Sequence, residues 1–228
     1  MAILKLIGLL LEYPDDAIWQ HQDEVIGLAT EQQPALLPFI RRYLATPPLE
    51  MQADWCALFE RGRATSLLLF EHVHAESRDR GQAMVDLLAQ YEQAGLVLNC
   101  RELPDYLPLY LEYLSLLDDR AAQQGLLDVA PILALVGGRL RERDSDFHQL
   151  FDALLSLSES PLRSESMAQQ VAGEARDDTP AALDAVWEEE QVKFMADKGC
   201  DAAAQQHQQR FRDAVSPQYL DLSGQGVH

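Results

Sequence analysis

Basic residues are scarce in this 228-residue chain: 18 Lys and Arg stand against 37 Asp and Glu, a formal net charge of −19 at pH 7. Such a field repels polyanions, so it excludes nucleic acid and anionic membrane surfaces as partners and favours basic ones. The acidity is spread along the chain, with some surplus toward the C-terminus. Cysteine is nearly missing. Cys56, Cys100 and Cys200 lie far apart without a CxxC, and an odd number with no secretion signal reads as reduced thiols in the cytoplasm. The apolar run at the N-terminus is too short to span a bilayer. The N-terminal AILKLIGLLLEYP is short, carries Lys5 and lacks a small-residue cleavage site, so it reads as a core helix. No stretch alternates with period two, no hairpin dipeptide occurs, and no repeat of fixed period appears, which removes sheet and solenoid folds.

What is present is helical periodicity. Apolar residues at 47% and charged residues at 24% describe a globular protein able to bury a sizeable core. Ile3 to Tyr13 reads as a buried helix ended by Pro14. Asp15 or Asp16 caps the next, carrying Ile18, Trp19, Val25, Ile26 and Leu28. Pro34 opens another, TPP at 46–48 is a turn, and Met51, Trp55, Leu58 and Phe59 share a face. The densest patterning runs from Phe59 to Tyr113. A helix is expected from Thr65 or Ser66 through Val73, and a second from Asp79, with Gln82 as capping-box partner and Gly95 as its stop. A third is expected after ELPD, with Asp105 as N-cap and Pro108 in the first turn. Pro131 should kink or divide the long apolar segment around it. Asp144 or Ser145 should cap a helix containing Phe147 and Phe151, and SESPLRSES at 158–166 reads as a linker. The expectation is an all-α bundle of about nine to ten helices over 1–160. A more loosely packed, charged helical extension with a flexible tail follows at 161–228.

Chemistry is sparse. GRATS at 62–66 precedes a helix signal but lacks the GxxxxGK(S/T) spacing and the lysine of a phosphate loop. His72 and His74 flank Val73. Helical residues two apart point about 200° away from each other, so both imidazoles do not face one metal. Neither HExxH nor a pair of ExxH helices occurs, so no metal site is assigned. The edge formed by Phe70, Glu71 and His74 is read either as a polar helix edge with i,i+3 pairs or as part of a binding surface. No GxSxG elbow or Cys–His pairing is present, and the Asp pairs at 15–16, 118–119 and 177–178 sit at helix starts, where they cap. These features name no catalytic residue. In the run from Pro104 to Tyr113, Tyr106, Tyr110 and Tyr113 offer apolar area with polar tips. That suits a peptide-binding groove, and it equally suits a core helix with tyrosines at its rim.

RGRATSLLLFEHVHAESRDRGQAMVDLLAQYE, RELPDYLPLYLEYL, APILAL and EARDDTPAALDAVWEEEQVKF closely resemble the NarJ/NarW family, the assembly chaperones of respiratory nitrate reductase, also called its delta subunit. The likeness runs from LLEYPD to SPQYL. It implies a cytoplasmic, all-helical chaperone of the TorD-like group. Such a protein binds the N-terminal segment of the nitrate reductase alpha subunit and holds the apo alpha–beta complex. The molybdenum cofactor and an iron–sulfur cluster are inserted, and the chaperone then leaves. The implied neighbours include molybdenum cofactor biosynthesis proteins, while the chaperone carries no cofactor itself. The wider group has an acidic-proline-aspartate-histidine element at its leader-binding site. Glu102, Pro104 and Asp105 look like that element, with Tyr106 where the histidine would stand. Tyr106 cannot become a cation near neutral pH. Two other readings stay open: a cofactor- or nucleotide-binding maturation factor, resting on GRATS and the Glu71/His72/His74 edge, and a generic acidic helical adaptor.

Overall fold

The computed structural model describes residues 1–73, 78–98 and 102–188. The chain divides into two compact units, Met1–Thr179 and Pro180–His228. The first holds ten α-helices among the described residues: α1 (Ala2–Leu11), α2 (Asp16–Gln20), α3 (Gln22–Gln32), α4 (Leu37–Ala45), α5 (Pro48–Phe59), α6 (Arg78–Gln93), α7 (Leu107–Leu116), α8 (Asp119–Glu142), α9 (His148–Leu157) and α10 (Ser164–Val171). Short 3-10 turns occupy Pro34–Leu36 and Leu69–His72. Among the described residues of the second unit, 180–188 are helical. The all-α expectation holds.

α1 is apolar on nearly every side and lies against α7, where Gly8 lets the helices approach: a Cβ there would sit 3.2 Å from Pro108 O. Leu107, Tyr110, Leu111 and Leu114 form the buried face of α7. α8 packs on α9 and α10. Trp55 donates its indole N–H to Leu11 O at 2.8 Å, fastening α5 to the end of α1. Phe147 joins Phe39 and Phe59 at ring distances of 5.5 and 5.3 Å, so α4, α5 and the start of α9 share one aromatic centre.

Several local expectations give way to tertiary contacts. No helix runs from Thr65 to Val73. Thr65 is buried and donates its hydroxyl to Leu58 O instead of capping, and Leu68 is extended before the 3-10 turn. The segment Ile18–Leu28 breaks at His21 into α2 and α3, with Asp15 capping α2 through Ala17 N at 2.9 Å. α8 passes through Pro131 undivided. The carbonyl that proline leaves without an amide belongs to Leu127, which is exposed, as is Pro131, so water can satisfy it. Asp144 does not cap α9. It adopts φ 55°, and Ser145 N reaches back to Leu140 O at 3.0 Å, so Asp144 terminates α8. Gly95 does stop α6, at φ 82°, with Leu96 N on Tyr91 O at 2.9 Å.

The serine-rich stretch at 158–166 is packed. Ser158, Ser160 and Ser164 are buried, and Ser164 Oγ accepts from Arg141 at 2.7 Å while donating to Asp152. α10 begins inside it and seats on Gly137 and Gly138, where a Cβ would meet Ser164 Cβ at 2.9 Å and Ala168 N at 2.8 Å. The first unit therefore runs to Thr179, beyond the boundary expected at 160.

Candidate functional site

The expected site residues gather at a corner where the 67–72 segment crosses the entry to α7. Among the described residues the one isolated extended pairing is the antiparallel bridge between Leu68 and Tyr106. Leu69 N donates to Asp105 O at 2.9 Å, and Leu107 N donates to Leu67 O at 2.8 Å. This pairing takes the backbone groups that a helix from Ser66 would have used. Asp105 then has a different job from the one expected: Tyr106 is the N-cap of α7, and the Asp105 carboxylate accepts from Phe70 N at 3.0 Å, bracing the 3-10 turn.

Asp105 is fully buried, and its Oδ1 has no hydrogen-bond partner among the described residues. Burial raises its pKa above the ordinary carboxylate range, against the Phe70 N–H and Arg80 and with a small push from Glu71. Glu71 lies 4.0 Å from Arg80. Pro104 is buried, and its carbonyl accepts from the hydroxyl of Tyr91 at 2.7 Å. Tyr110 is buried with its hydroxyl on Gly125 O at 3.0 Å, and Tyr113 is half-buried, its ring 4.8 Å from Tyr91. Pro104, Asp105, Tyr91 and Tyr110 thus build the corner from within. Glu102 is exposed, and Phe70, Glu71 and Tyr106 are half-buried at its face. His74 lies outside the described residues.

Distant elements complete the corner. Burial raises the Tyr106 hydroxyl pKa, and so do Glu12 at the end of α1, Glu102 and Glu60 at the end of α5. Glu12 is itself raised by partial loss of water and then by Glu112 and Glu102. Lys5 is held 3.6 Å from Glu112. Glu12 also lines a groove of about 580 Å³ between α1, α2 and α3, floored by Leu6, Leu9, Ile18, Val25 and Leu28. Leu9 is 39% exposed there. Sequence reasoning misses Glu12, Glu60, Glu112 and Tyr91: Glu12 and Glu60 look like solvated helix ends, Glu112 like a solvated mid-helix position, and Tyr91 reads as an ordinary core position. Only the fold brings them to Tyr106 and Pro104.

His72 is not free to bind a ligand. Its Nε2 carries the proton and donates to Ser66 O at 2.9 Å, and burial lowers its pKa. Among the described residues no three His, Cys, Asp or Glu side chains are grouped to hold a metal ion. The GRATS loop does hold an anion, but an internal one: Ala64 N donates to Asp177 Oδ2 at 2.7 Å. Of the cysteines, Cys56 is half-buried and unpaired, while Cys100 and Cys200 lie outside the described residues. One helix among the described residues, α8, is long and apolar enough to cross a membrane, but it packs against α9 and α10.

Comparison with known proteins adds a family. The nitrate reductase delta subunit model matches residues 27–144. The probable nitrate reductase molybdenum cofactor assembly chaperone NarW of Escherichia coli K12 is 60% identical, covering 99% of both chains. The nitrate reductase molybdenum cofactor assembly chaperone NarJ of the same organism is 58% identical over the whole of both. A probable NarJ of Bacillus subtilis is 28% identical, over 68% of this chain and 86% of its own.

Proposed function

The chain belongs to the nitrate reductase delta subunit family, and from that membership we propose that its acidic corner and the adjoining groove receive the N-terminal segment of the nitrate reductase alpha subunit. The protein is a system-specific chaperone of nitrate reductase molybdenum cofactor assembly and not an enzyme. In this reading it holds the apo alpha–beta complex in the cytoplasm, beside the molybdenum cofactor biosynthesis proteins. The molybdenum cofactor belongs to the client, and the chaperone has no place in the mature enzyme.

One observation carries the reading: Glu12 belongs both to the apolar α1–α3 groove and to the carboxylates around Tyr106, while the groove's one lysine among the described residues, Lys5, is held by Glu112. An amphipathic client segment would lay its apolar side chains in the groove and set a Lys or Arg against Glu12, Glu60 and Glu102. Burying roughly 400 Å² of apolar area is worth on the order of 10 kcal/mol gross. Association and ordering cost about 4–15 kcal/mol, which leaves the modest affinity a chaperone needs in order to release.

Calorimetry with a synthetic peptide of the alpha subunit's N-terminal segment tests this. Binding at low ionic strength that weakens with added salt is expected. Absence of heat or of a fluorescence change at low salt, with folded chaperone, would sink the proposal.

A further inference from the structure

The segment between α10 and Thr179 ties together two sequence motifs that the client site does not use, GRATS and EARDD. Two arginines from the last turns of α8 and its C-cap make the tie. Arg139 donates to Ala64 O at 3.0 Å and grips Glu174 through Nε and Nη2 at 2.8 and 3.2 Å. Arg143 donates to Thr65 Oγ1 at 2.8 Å and to Asp177 Oδ1 at 2.7 Å, and lies 3.5 Å from Asp178. Its side chain is only 6% exposed, and that of Asp178 only 8%. Asp177 closes the circuit through the Ala64 N–H, and it fills the space over Gly62, where a Cβ would lie 2.6 Å from its Cγ. The buried charges of Arg143 and Asp178 need their partners, so the strap either seats completely or leaves unpaired charges behind.

The clamped loop leads straight into the client corner. Two residues beyond Thr65, Leu67 O accepts from Leu107 N; two further on, Leu69 N donates to Asp105 O, and Phe70 N to the Asp105 carboxylate. We propose that Arg143 and Asp177 are positioning residues for client binding: the 174–178 strap latches the 62–66 loop, and the latched loop holds Leu69 and Phe70 where Asp105 can brace the corner. Binding and latching are then one equilibrium. A strap that opens slackens the corner and speeds client release, and the client by linkage tightens the strap. This rests on the client reading given above, but the latch itself can be measured without a client.

The experiment uses the full chain in three forms, wild type, Asp177→Asn and Gly62→Ala. The first variant removes the charge, and the second keeps every charge but crowds the carboxylate. Hydrogen exchange is followed at Ala64, Leu69 and Phe70, with amides in the middle of α9 as reference. Both variants should speed exchange at Leu69 and Phe70 as well as at Ala64 and leave α9 unchanged. Acceleration confined to Ala64 overturns the coupling. Calorimetry with the alpha-subunit peptide then completes a double-mutant cycle between Asp177→Asn and Asp105→Asn. Residues without mutual contact should be additive unless coupled, so a non-additivity of about threefold or more in affinity is expected. Additive losses overturn the positioning role. Wild type that shows the latch in exchange but binds no peptide refutes the client reading instead.

Discussion

Replacing Glu12 by Gln should make the free protein more stable and a poorer binder. Glu12 stands at the mouth of the α1–α3 groove with its pKa raised, first by partial desolvation, then by Glu112 and Glu102. A raised value means that the folded state holds the proton more tightly than the unfolded chain does. Well below the ordinary carboxylate range both states are protonated, and the residue exacts no penalty. As pH rises through that range and past the folded value, the penalty develops, and at neutrality it is complete. Glu12 remains largely exposed, so solvent screening limits the relief on mutation to about 0.5 kcal/mol. That corresponds to roughly 1–2 °C in melting temperature for a unit of this size. Removing the charge that faces a client cation should cost about 1 kcal/mol of binding, near fivefold, and the difference should shrink in high salt. Paired urea titrations at pH 7 and near pH 3 read the first effect, and calorimetry with the alpha-subunit peptide at two salt concentrations reads the second. A Gln variant less stable than wild type at pH 7 would mean that an internal donor holds the carboxylate. Unchanged affinity would put the client's cation elsewhere. Either result refutes the reasoning.

Ala17→Trp introduces a large aromatic at an exposed position lining the groove. Stability should stay within about 0.5 kcal/mol, while peptide affinity falls about tenfold because the ring occupies client space; unaltered binding would move the apolar half of the site away from α1–α3. Gly138→Ala should destabilise by about 1–2 kcal/mol in urea. Its Cβ would meet the α10 backbone at 2.8 Å, and overpacking outweighs the helix-propensity gain. Gly27→Ala in α3, with nothing within 4 Å, should instead stabilise by about 0.5–1 kcal/mol. Equal effects at the two glycines would contradict the close seat of α10 on α8.

The parts of the fold legible in sequence are those settled by local chemistry. The buried sides of α1 and α7 follow from apolar spacing, the stop at Gly95 from its freedom at positive φ, and the capping by Asp15 from its carboxylate. Family membership was legible for the same reason: long motif blocks survive as strings of residues, whatever the packing around them. The candidate site was legible only in part. Glu102, Pro104, Asp105 and Tyr106 are adjacent, so a motif marks them, but the motif does not say which of them point inward.

Tertiary structure alone decided the rest. Thr65 and Ser66 carry a helix-start signature, yet the free backbone groups of Leu67 and Leu69 find partners in Leu107 and Asp105 across the chain, and an extended pairing replaces the helix. Serines 158, 160 and 164 look like a linker because their hydroxyls are polar; packing supplies those hydroxyls with partners and turns the stretch into a buried joint. Glu12, Glu60 and Glu102 belong to three separate parts of the chain, and a string of letters holds no record of their shared surroundings. Periodicity reports which face of a helix is apolar, because that depends on neighbours three and four residues away. Which partner meets that face, and which charges are left without one, depends on residues a hundred positions distant, and only the folded chain brings those together.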